Sequence, residues 1–272
     1  VEAIVKFRRE YEIVKKLDIE RVIKIHQLDK VSGLPVIVME DGGESLDRFL
    51  GEQALDLYSA LDIALKLAET IGEIHQNYII HKDINPSNIL WNPKIRELKV
   101  IDFGISSELS RETVAMQNPR GLEGTLNYIS PEQTGRMNRA VDYRSDLYSL
   151  GATLYHIFTG QPCFDSSDPM ELVHFHIAQH PVPLCKINPQ IPEVVSNIVL
   201  KLMAKLAEDR YQSAAGAHHD LLHCRRQLEE HKTCHAFPLA QDDIATAFRI
   251  PQKLYGRDAE VNTLLHCFDR VS

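Results

Sequence analysis

The sequence predicts an α+β fold with a mostly helical second half, because a few short β patterns precede a long series of helical patterns. Two β-like runs, residues 21–28 and 34–40, are separated by a turn-like segment. From about residue 142 onward the apolar residues recur at helical spacing. A chain of 272 residues with 44% apolar residues is long enough for one domain of roughly 200 to 250 residues and an appendage.

The individual elements follow from local patterns. Residues 1–17 place apolar side chains at steps of three and four, which predicts an amphipathic helix. Residues 56–77 show a long helical pattern, and residues 97–103 are typical of a buried strand. Four later helices are predicted, one of them opened by a proline; they cover residues 142–160, 169–180, 192–206 and 213–231.

Composition and charge exclude several classes of protein. The net charge of -8 gives no sign of nucleic-acid binding, and no apolar run approaches the roughly 18 residues of a membrane span. The charged start is not a signal peptide, so we expect a cytoplasmic location. Five scattered cysteines without a C-x-x-C predict neither a disulfide framework nor a zinc site. The histidines within residues 174–180 and 218–223 are expected to be solvated or capping rather than metal ligands.

Two motifs carry residues suited to phosphoryl transfer. Asp83 and Asn88 stand five apart in HKDINPSN, where an aspartate can accept a hydroxyl proton and an asparagine oxygen can hold a metal. Further on, the apolar strand VIDFG ends in Asp102, Phe103 and Gly104. An aspartate at a strand end, followed by a glycine that permits the turn, is positioned to bind Mg²⁺ on nucleotide phosphates. The pair of motifs predicts ATP and Mg²⁺ as cofactors.

Three later motifs extend the pattern: SPE with Glu132, SDLYSLG with Asp146, and AEDRYQS with Arg210. With them, roughly residues 1–229 resemble the eukaryotic-like serine/threonine protein kinase family of bacteria. The resemblance implies a protein-kinase-like fold, with a partial β-rich N-lobe and hinge over residues 1–43 and a complete, mostly helical C-lobe over residues 44–229.

The resemblance also implies roles for structural residues. It pairs Glu132 with Arg210 in a buried ion pair and makes Asp146 a brace for the catalytic-loop backbone. Thr125 matches the threonine that bonds the catalytic aspartate and marks a preference for Ser or Thr acceptors. An apolar column that assembles in active kinases is implied for Val14, Ile25, His81 and Phe103.

The nucleotide site is placed by the same comparison. Glu10 matches the helix glutamate that pairs with an ATP-contacting lysine. Met39 would form the back wall of the adenine pocket, Glu40 and Gly42 would offer hinge backbone groups, and Leu90 would lie under the base.

The chain departs from the family pattern at its start. It contains no G-x-G-x-x-G, and Glu10 is too near residue 1 to leave room for the strands that carry this loop and the lysine. Because residue 1 is not Met, we expect truncation of a larger protein rather than a natural loss. We therefore expect this chain to bind ATP weakly or not at all.

Two substitutions alter the catalytic loop itself. Asn85 stands where serine/threonine kinases usually have a lysine, so a charge that stabilises the transferred phosphoryl group is replaced by a hydrogen-bond donor. Lys82 replaces the usual arginine and keeps a cation without the bidentate fork. Both are kept as catalytic candidates, and candidate phosphorylation sites on the loop are Ser107, Ser110 and Thr113.

The end of the chain indicates a larger context. Residues 230–253 lose periodicity and are predicted to be a linker, and residues 254–272 are predicted to begin a second, truncated domain. The segment FRIPQKLYGRDAEVNTLL resembles the junction between a kinase domain and an AAA-like ATPase module in large bacterial sensor kinases. Partners in the same chain would then be an ATPase and sensor or histidine-kinase domains.

The leading hypothesis is a serine/threonine protein kinase in bacterial signal transduction. Asp83 would orient and deprotonate a protein Ser or Thr hydroxyl, and Asn88 and Asp102 would hold Mg²⁺. The alternative is a pseudokinase that serves as a regulatory or binding module for an attached ATPase or histidine kinase. A small-molecule phosphotransferase of the aminoglycoside type also has H-x-D-x-x-x-x-N, but the SPE and SDLYSLG motifs and Arg210 belong to protein-substrate kinases.

Overall fold

A computed structural model describes residues 2–32, 34–108, 125–137 and 139–244. The order of elements confirms the predicted α+β class, since a small strand-rich part precedes a helical part. The first part contains helix α1 (Glu2–Lys16) and an antiparallel hairpin of β1 (Ile25–Val31) and β2 (Leu34–Met39). Helix α1 covers the predicted amphipathic segment, and Val14 on its inner face is buried.

The strand predicted at residues 21–28 begins later than expected. Val22 and Ile23 do not join the hairpin. Instead, Val22 bridges to Val100, the Ile23 N–H donates to the Val100 carbonyl at 3.1 Å, and the Val100 N–H donates to the Arg21 carbonyl at 2.8 Å. This short pairing joins the N-terminal part to a second sheet, to which Val100 belongs.

That sheet has three strands in the order β3–β5–β6: β3 (Glu44–Ser45), β5 (Ile89–Asn92) and β6 (Glu97–Val100). A second, smaller pairing joins β4 (Ile79–Ile80) to β7 (Ser107–Glu108). The predicted strand 97–103 ends at Val100, after which the Ile101 N–H still donates to the Asn88 carbonyl, at 3.0 Å. The functional motifs therefore lie in the loops that leave β4 and β6.

The helical part packs around α4 (Tyr143–Thr159), whose residues are buried on nearly every side. Helices α3 (Leu57–Gln76) and α7 (Glu193–Leu202) pack on it, and α8 (Ala214–His231) packs on α3 and α7; all four share one apolar core. Shorter helices complete this lobe: α2 (Leu46–Glu52), α5 (Pro169–Ala178) and α6 (Leu184–Ile187). Within the described ranges, no helix combines the length and the apolar character that a membrane crossing requires.

The predicted linker, residues 230–253, is only partly extended chain. Its first two residues end α8, and residues 232–244 form no helix or strand. Residues 234–243, which we call the strap, nevertheless pack on the helical lobe, with Phe237, Leu239 and Ala240 against the core. The described part of the predicted linker therefore contacts the helical lobe, and the linker itself stays a prediction. The predicted second domain, residues 254–272, lies outside the described residues.

Candidate active site

The loop between β4 and β5, residues 81–88, is held in place by one carboxylate. Asp146, buried at the start of α4, accepts the N–H of His81 at 2.8 Å and the N–H of Lys82 at 2.7 Å. It also contacts Nε2 of His75 at 2.9 Å. Burial acts to raise the pKa of Asp146, but the hydrogen bond with His75 and the neighbouring donors bring the pKa below its usual value. Asp146 thus braces the loop backbone, as the resemblance implied.

The same loop is held from the opposite side by Gln133. Its Nε2 donates to the Lys82 carbonyl at 2.8 Å, and its Oε1 accepts from the Ser130 hydroxyl at 2.8 Å. Lys82 has a φ of 70°, a conformation that residues other than glycine rarely adopt. The hydrogen bonds to its N–H and to its carbonyl hold Lys82 in this conformation.

The carboxylate of Asp83 is oriented by three donors. Oδ1 accepts from the Thr125 N–H and from Nδ2 of Asn85, each at 2.9 Å, and Oδ2 accepts from Nδ2 of Asn88 at 3.0 Å. Thr125 therefore bonds Asp83 as implied, although through its backbone, while its hydroxyl accepts from Asn85 at 3.1 Å. A carboxylate fixed in this way is pre-oriented to receive a proton from a bound hydroxyl.

Asn85 has a role that the sequence did not suggest. It is buried, and its Oδ1 accepts the N–H of Ser87 at 2.9 Å and of Asn88 at 3.2 Å, so it caps the short 3₁₀ turn Pro86–Asn88. Its amide nitrogen is committed to Asp83 and Thr125. The geometry makes Asn85 a positioning residue rather than a substitute for a phosphate-binding lysine.

Asn88 and Asp102 are neighbours through the backbone. The Ile101 N–H donates to the Asn88 carbonyl, and Asp102 follows with a φ of 64°, in the left-handed region. Asp102 is exposed, and its Oδ1 accepts the Gly104 N–H at 3.1 Å. A left-handed non-glycine residue stores strain, and such strain is common at functional sites.

The apolar column begins at His81 and Phe103, which are both fully buried with ring centroids 4.6 Å apart. Val14 is buried in the same core and Ile25 packs against it. Burial lowers the pKa of His81, so its ring is neutral at ordinary pH.

Glu10, on α1, faces this part of the cleft. Burial and the nearby charge of Asp102 raise the pKa of Glu10 to about 7, against a partly opposing hydrogen bond from the backbone of Phe103. Among the described residues, no lysine or arginine forms an ion pair with it. The Glu10 carboxylate therefore lies within range of the Asp102 charge and accepts a hydrogen bond from the backbone of Phe103.

The hinge region lies between β2 and β3. The Glu40 N–H donates to the Lys24 carbonyl at 2.9 Å, and its carboxylate pairs with Nζ of Lys99 at 3.1 Å. Gly42 packs so closely on Leu90 that a Cβ there would lie 2.6 Å from Leu90 Cδ1. Met39, at the end of β2, is 40% exposed. Leu90 and Gly42 thus pack closely against each other beside the hinge, whose backbone is held by the hydrogen bond from Glu40 to Lys24.

Glu132 and Arg210 form the implied ion pair. The contacts are bidentate, with Nη1 to Oε1 at 2.6 Å and Nη2 to Oε2 at 2.8 Å, and both side chains are buried. The guanidinium also donates to the carbonyls of Ala204 at 2.7 Å and Arg144 at 2.9 Å. Burial acts to raise the pKa of Glu132, but the charge of Arg210 holds it below its usual value.

Two expectations about surface residues are wrong. Ser107 is buried in β7, which pairs with β4, so it is not an exposed phosphorylation site; Ser110 and Thr113 lie outside the described residues. His176 is buried rather than solvated, with Nδ1 bonded to the Tyr148 hydroxyl at 3.0 Å. Its apolar setting lowers its pKa to about 3.

Four residues that the sequence did not predict support the loop. His75 contacts Asp146, and Gln133 holds the Lys82 carbonyl. The Ser106 hydroxyl donates to the His81 carbonyl at 3.0 Å, and the Thr153 hydroxyl donates to the Ile84 carbonyl at 3.2 Å. None belongs to a motif with its own chemistry, and only the folded backbone brings them to the loop.

Comparison with known proteins agrees with this arrangement. The family described as "Protein kinase domain" matches residues 2–223. The chain is 34% identical over 223 residues to Serine/threonine-protein kinase PknB of Mycobacterium leprae, covering 80% of this chain and 35% of that protein. It is 32% identical over 222 residues to Serine/threonine-protein kinase PrkC of Bacillus subtilis, covering 81% and 34%. The chain thus spans about a third of the length of these relatives. It belongs to the protein kinase domain family.

Proposed function

We propose that the protein is a serine/threonine kinase, which transfers the γ-phosphoryl group of ATP to protein Ser or Thr hydroxyls. The observation that carries this proposal is the orientation of Asp83 by Thr125, Asn85 and Asn88, beside Asp102. The names of the matched relatives, PknB and PrkC, support the choice of Ser and Thr as acceptors.

Asp83 would act on the acceptor. Its two oxygens accept hydrogen bonds from neutral donors and keep further acceptor capacity for a hydroxyl proton. The carboxylate thereby aligns the acceptor oxygen before transfer. Positioning of this kind supplies much of the rate enhancement in phosphoryl transfer.

The donor set at Asn88 and Asp102 fits Mg²⁺. Amide and carboxylate oxygens are the hard ligands that this ion prefers, and it commonly takes only one or two protein carboxylates besides phosphate oxygens and water. The described part of the chain contains no cluster of three or more His, Cys, Asp or Glu side chains able to hold a metal. When bound, the ion would neutralise phosphate charge. Asn88 would serve through Oδ1, since its Nδ2 is committed to Asp83.

The adenine side of the cleft also fits a nucleotide. The Glu40 N–H is used within the protein, which leaves its carbonyl to meet the base, and Gly42 and Leu90 form the floor. The phosphate side fits less well, because the sequence has no Gly-rich loop and no described cation pairs with Glu10. We therefore propose that these 272 residues alone bind ATP weakly or not at all.

The second candidate from the sequence is a pseudokinase module. A regulatory role toward an ATPase or histidine kinase in the same protein, and a cytoplasmic location, remain proposals from the sequence.

The test is transfer of labelled phosphate from ATP by the complete protein that contains these residues. Wild type should give an acid-stable label on Ser or Thr, and Asp83→Asn and Asp102→Ala should each abolish it. Asp29→Asn, an exposed carboxylate on the hairpin, is the matched control and should label as wild type. Equal labelling of wild type and Asp102→Ala would contradict the kinase proposal, and no label from any form would favour the pseudokinase.

A further inference from the structure

The strap, residues 234–243, runs back along α8 in a regular order. At its start, the His235 N–H donates to Oε1 of Gln227 at 2.7 Å. The Phe237 ring lies 4.4 Å from the ring of His223. Successive strap residues thus contact successively earlier residues of the helix.

The far end of the strap is fixed at the beginning of α8. The Ala240 N–H donates to Oδ2 of Asp220 at 2.8 Å, and Oδ1 of Asp243 accepts from the Ser213 hydroxyl at 2.7 Å. Gly216 permits this approach, since a Cβ there would lie 2.6 Å from Cβ of Asp243. The strap is therefore docked at both ends in one register.

This register brings two thiols together. Cys234 directly precedes His235, which is bonded to Gln227, and Cys224 lies one helical turn before Gln227 on α8. Cys224 is fully buried in the core, and Cys234 is partly exposed and packs against that core. Both are free thiols.

The two thiols are chemically unequal. The proximity of the two side chains, with burial, raises the pKa of Cys224, and the same proximity lowers the pKa of Cys234. The partly exposed residue, Cys234, is thus also the one that ionises first, which is the property of an attacking thiol. Cys224 is placed as the resolving thiol behind it.

We propose that Cys224 and Cys234 are a redox-active pair, which a low-molecular-weight disulfide converts into an intramolecular disulfide that locks the strap onto α8. The Cys234 thiolate attacks one sulfur of the small disulfide, forms a mixed disulfide and releases the first small thiol. Cys224 then loses its proton and attacks Sγ of Cys234, which releases the second small thiol. Two protein thiols are oxidised by two electrons, the small disulfide is reduced to two thiols, and the two protons pass to them.

The consequence concerns the chain beyond the strap. In the reduced protein the strap is held by non-covalent contacts, including the hydrogen bonds at both ends and the apolar packing of Phe237 and Leu239, which can open locally. In the oxidised protein its first residue is covalently attached to the helix. The direction in which the chain leaves the helical lobe would then depend on the thiol–disulfide balance.

The test exposes the reduced 272-residue chain to oxidised glutathione, traps free thiols by alkylation and maps the peptides by mass spectrometry. We expect a peptide pair joined through Cys224 and Cys234, with a mass lower by two hydrogen atoms, and slower amide exchange over residues 235–243. Cys234→Ser should remove the link, and Cys185→Ser should keep it. Asp243→Ala, which frees the far end, should lower the linked fraction at a fixed glutathione ratio.

Three outcomes would overturn the proposal. One is glutathione retained on Cys234 with Cys224 still reduced, and another is preferential linkage of Cys234 to a different cysteine. The third is an equal linked fraction in wild type and Asp243→Ala, which would show that docking of the strap does not bring the thiols together. Cys234→Ser changes a partly exposed side chain, so its folding is checked by the unchanged melting temperature of the reduced protein.

Discussion

Two buried or half-buried glutamates of this protein have opposite surroundings. Glu132 meets Arg210 in a bidentate pair deep in the helical lobe, and its pKa lies below the usual value. Glu10 is half-buried, and burial together with the nearby charge of Asp102 raises its pKa to about 7. The same side chain is thus kept charged in one place and driven toward its neutral form in the other.

The difference reflects which groups each carboxylate meets among the described residues. Around Glu132 and Asp146, each carboxylate meets donors from other elements of the helical lobe, which fixes the catalytic loop. At Glu10 the described residues supply a second carboxylate and one backbone donor. A cation introduced there would pair with Glu10 and offset the repulsion from Asp102. The groups that hold the backbone of residues 81–88 therefore do not include Glu10.

The largest expected effect on stability comes from breaking the Glu132–Arg210 ion pair. Arg210→Met would leave the Glu132 carboxylate buried without its partner, and should cost about 3–5 kcal/mol in the free energy of unfolding. Urea unfolding of the chain measures it. The matched control is Arg48→Met, which removes an exposed i,i+4 pair with Glu52 and should change stability by about 0.5 kcal/mol or less. Similar losses in both variants would contradict the distinction.

A smaller loss of stability is expected when Asp146, which holds the loop backbone, is changed. Asp146→Asn keeps the shape but presents one amide group toward backbone N–H donors, so we expect a cost of about 2–3 kcal/mol. Hydrogen exchange should locate the damage, with faster exchange of the His81 and Lys82 amides than of amides in α8. Unchanged exchange at these two positions would remove Asp146 from its bracing role.

Gln133→Leu tests the hydrogen bond from Gln133 to the Lys82 carbonyl. It leaves the Lys82 carbonyl without its described donor, and should cost about 1–2 kcal/mol, measured by the same urea unfolding. Gln190, exposed after α6, provides the control Gln190→Leu, for which we expect almost no change. If Gln133→Leu were equally neutral, the strained Lys82 conformation would need another source of support.

The effect of pH should separate the two glutamates. The folded-state pKa of Glu10 is about 7, above the ordinary value of 4.5, so the folded protein binds the extra proton between these values. The stabilisation from this proton is fully present below pH 4.5 and is lost as pH rises through 7. Glu10→Gln should remove this slope, seen as the difference between the two unfolding curves with a chelator present. Parallel curves for wild type and variant from pH 4.5 to 8 would contradict the raised pKa.

Much of the helical lobe could be predicted from the sequence, because periodic apolar residues and short polar motifs record its helices and its loop. The Glu132–Arg210 pair and the Asp146 brace were implied by the family resemblance. The cap that Asn85 makes on the 3₁₀ turn was not predicted, since it depends on three-dimensional backbone geometry. Gln133 and the strap carry no local signal of docking. The strap was taken for a linker because residues 234–243 lack a period, although their contacts with α8 are specific.

The most direct test of this account is a carbon-13 NMR titration of the side-chain carboxyls of Glu10 and Glu132 in one sample. We predict a midpoint near pH 7 for Glu10, while Glu132 stays ionised below the ordinary glutamate range because Arg210 remains bound to it. A Glu10 midpoint at or below 4.5, or coincident titration of the two groups, would contradict the claim that the helical side is compensated and the cleft side is not.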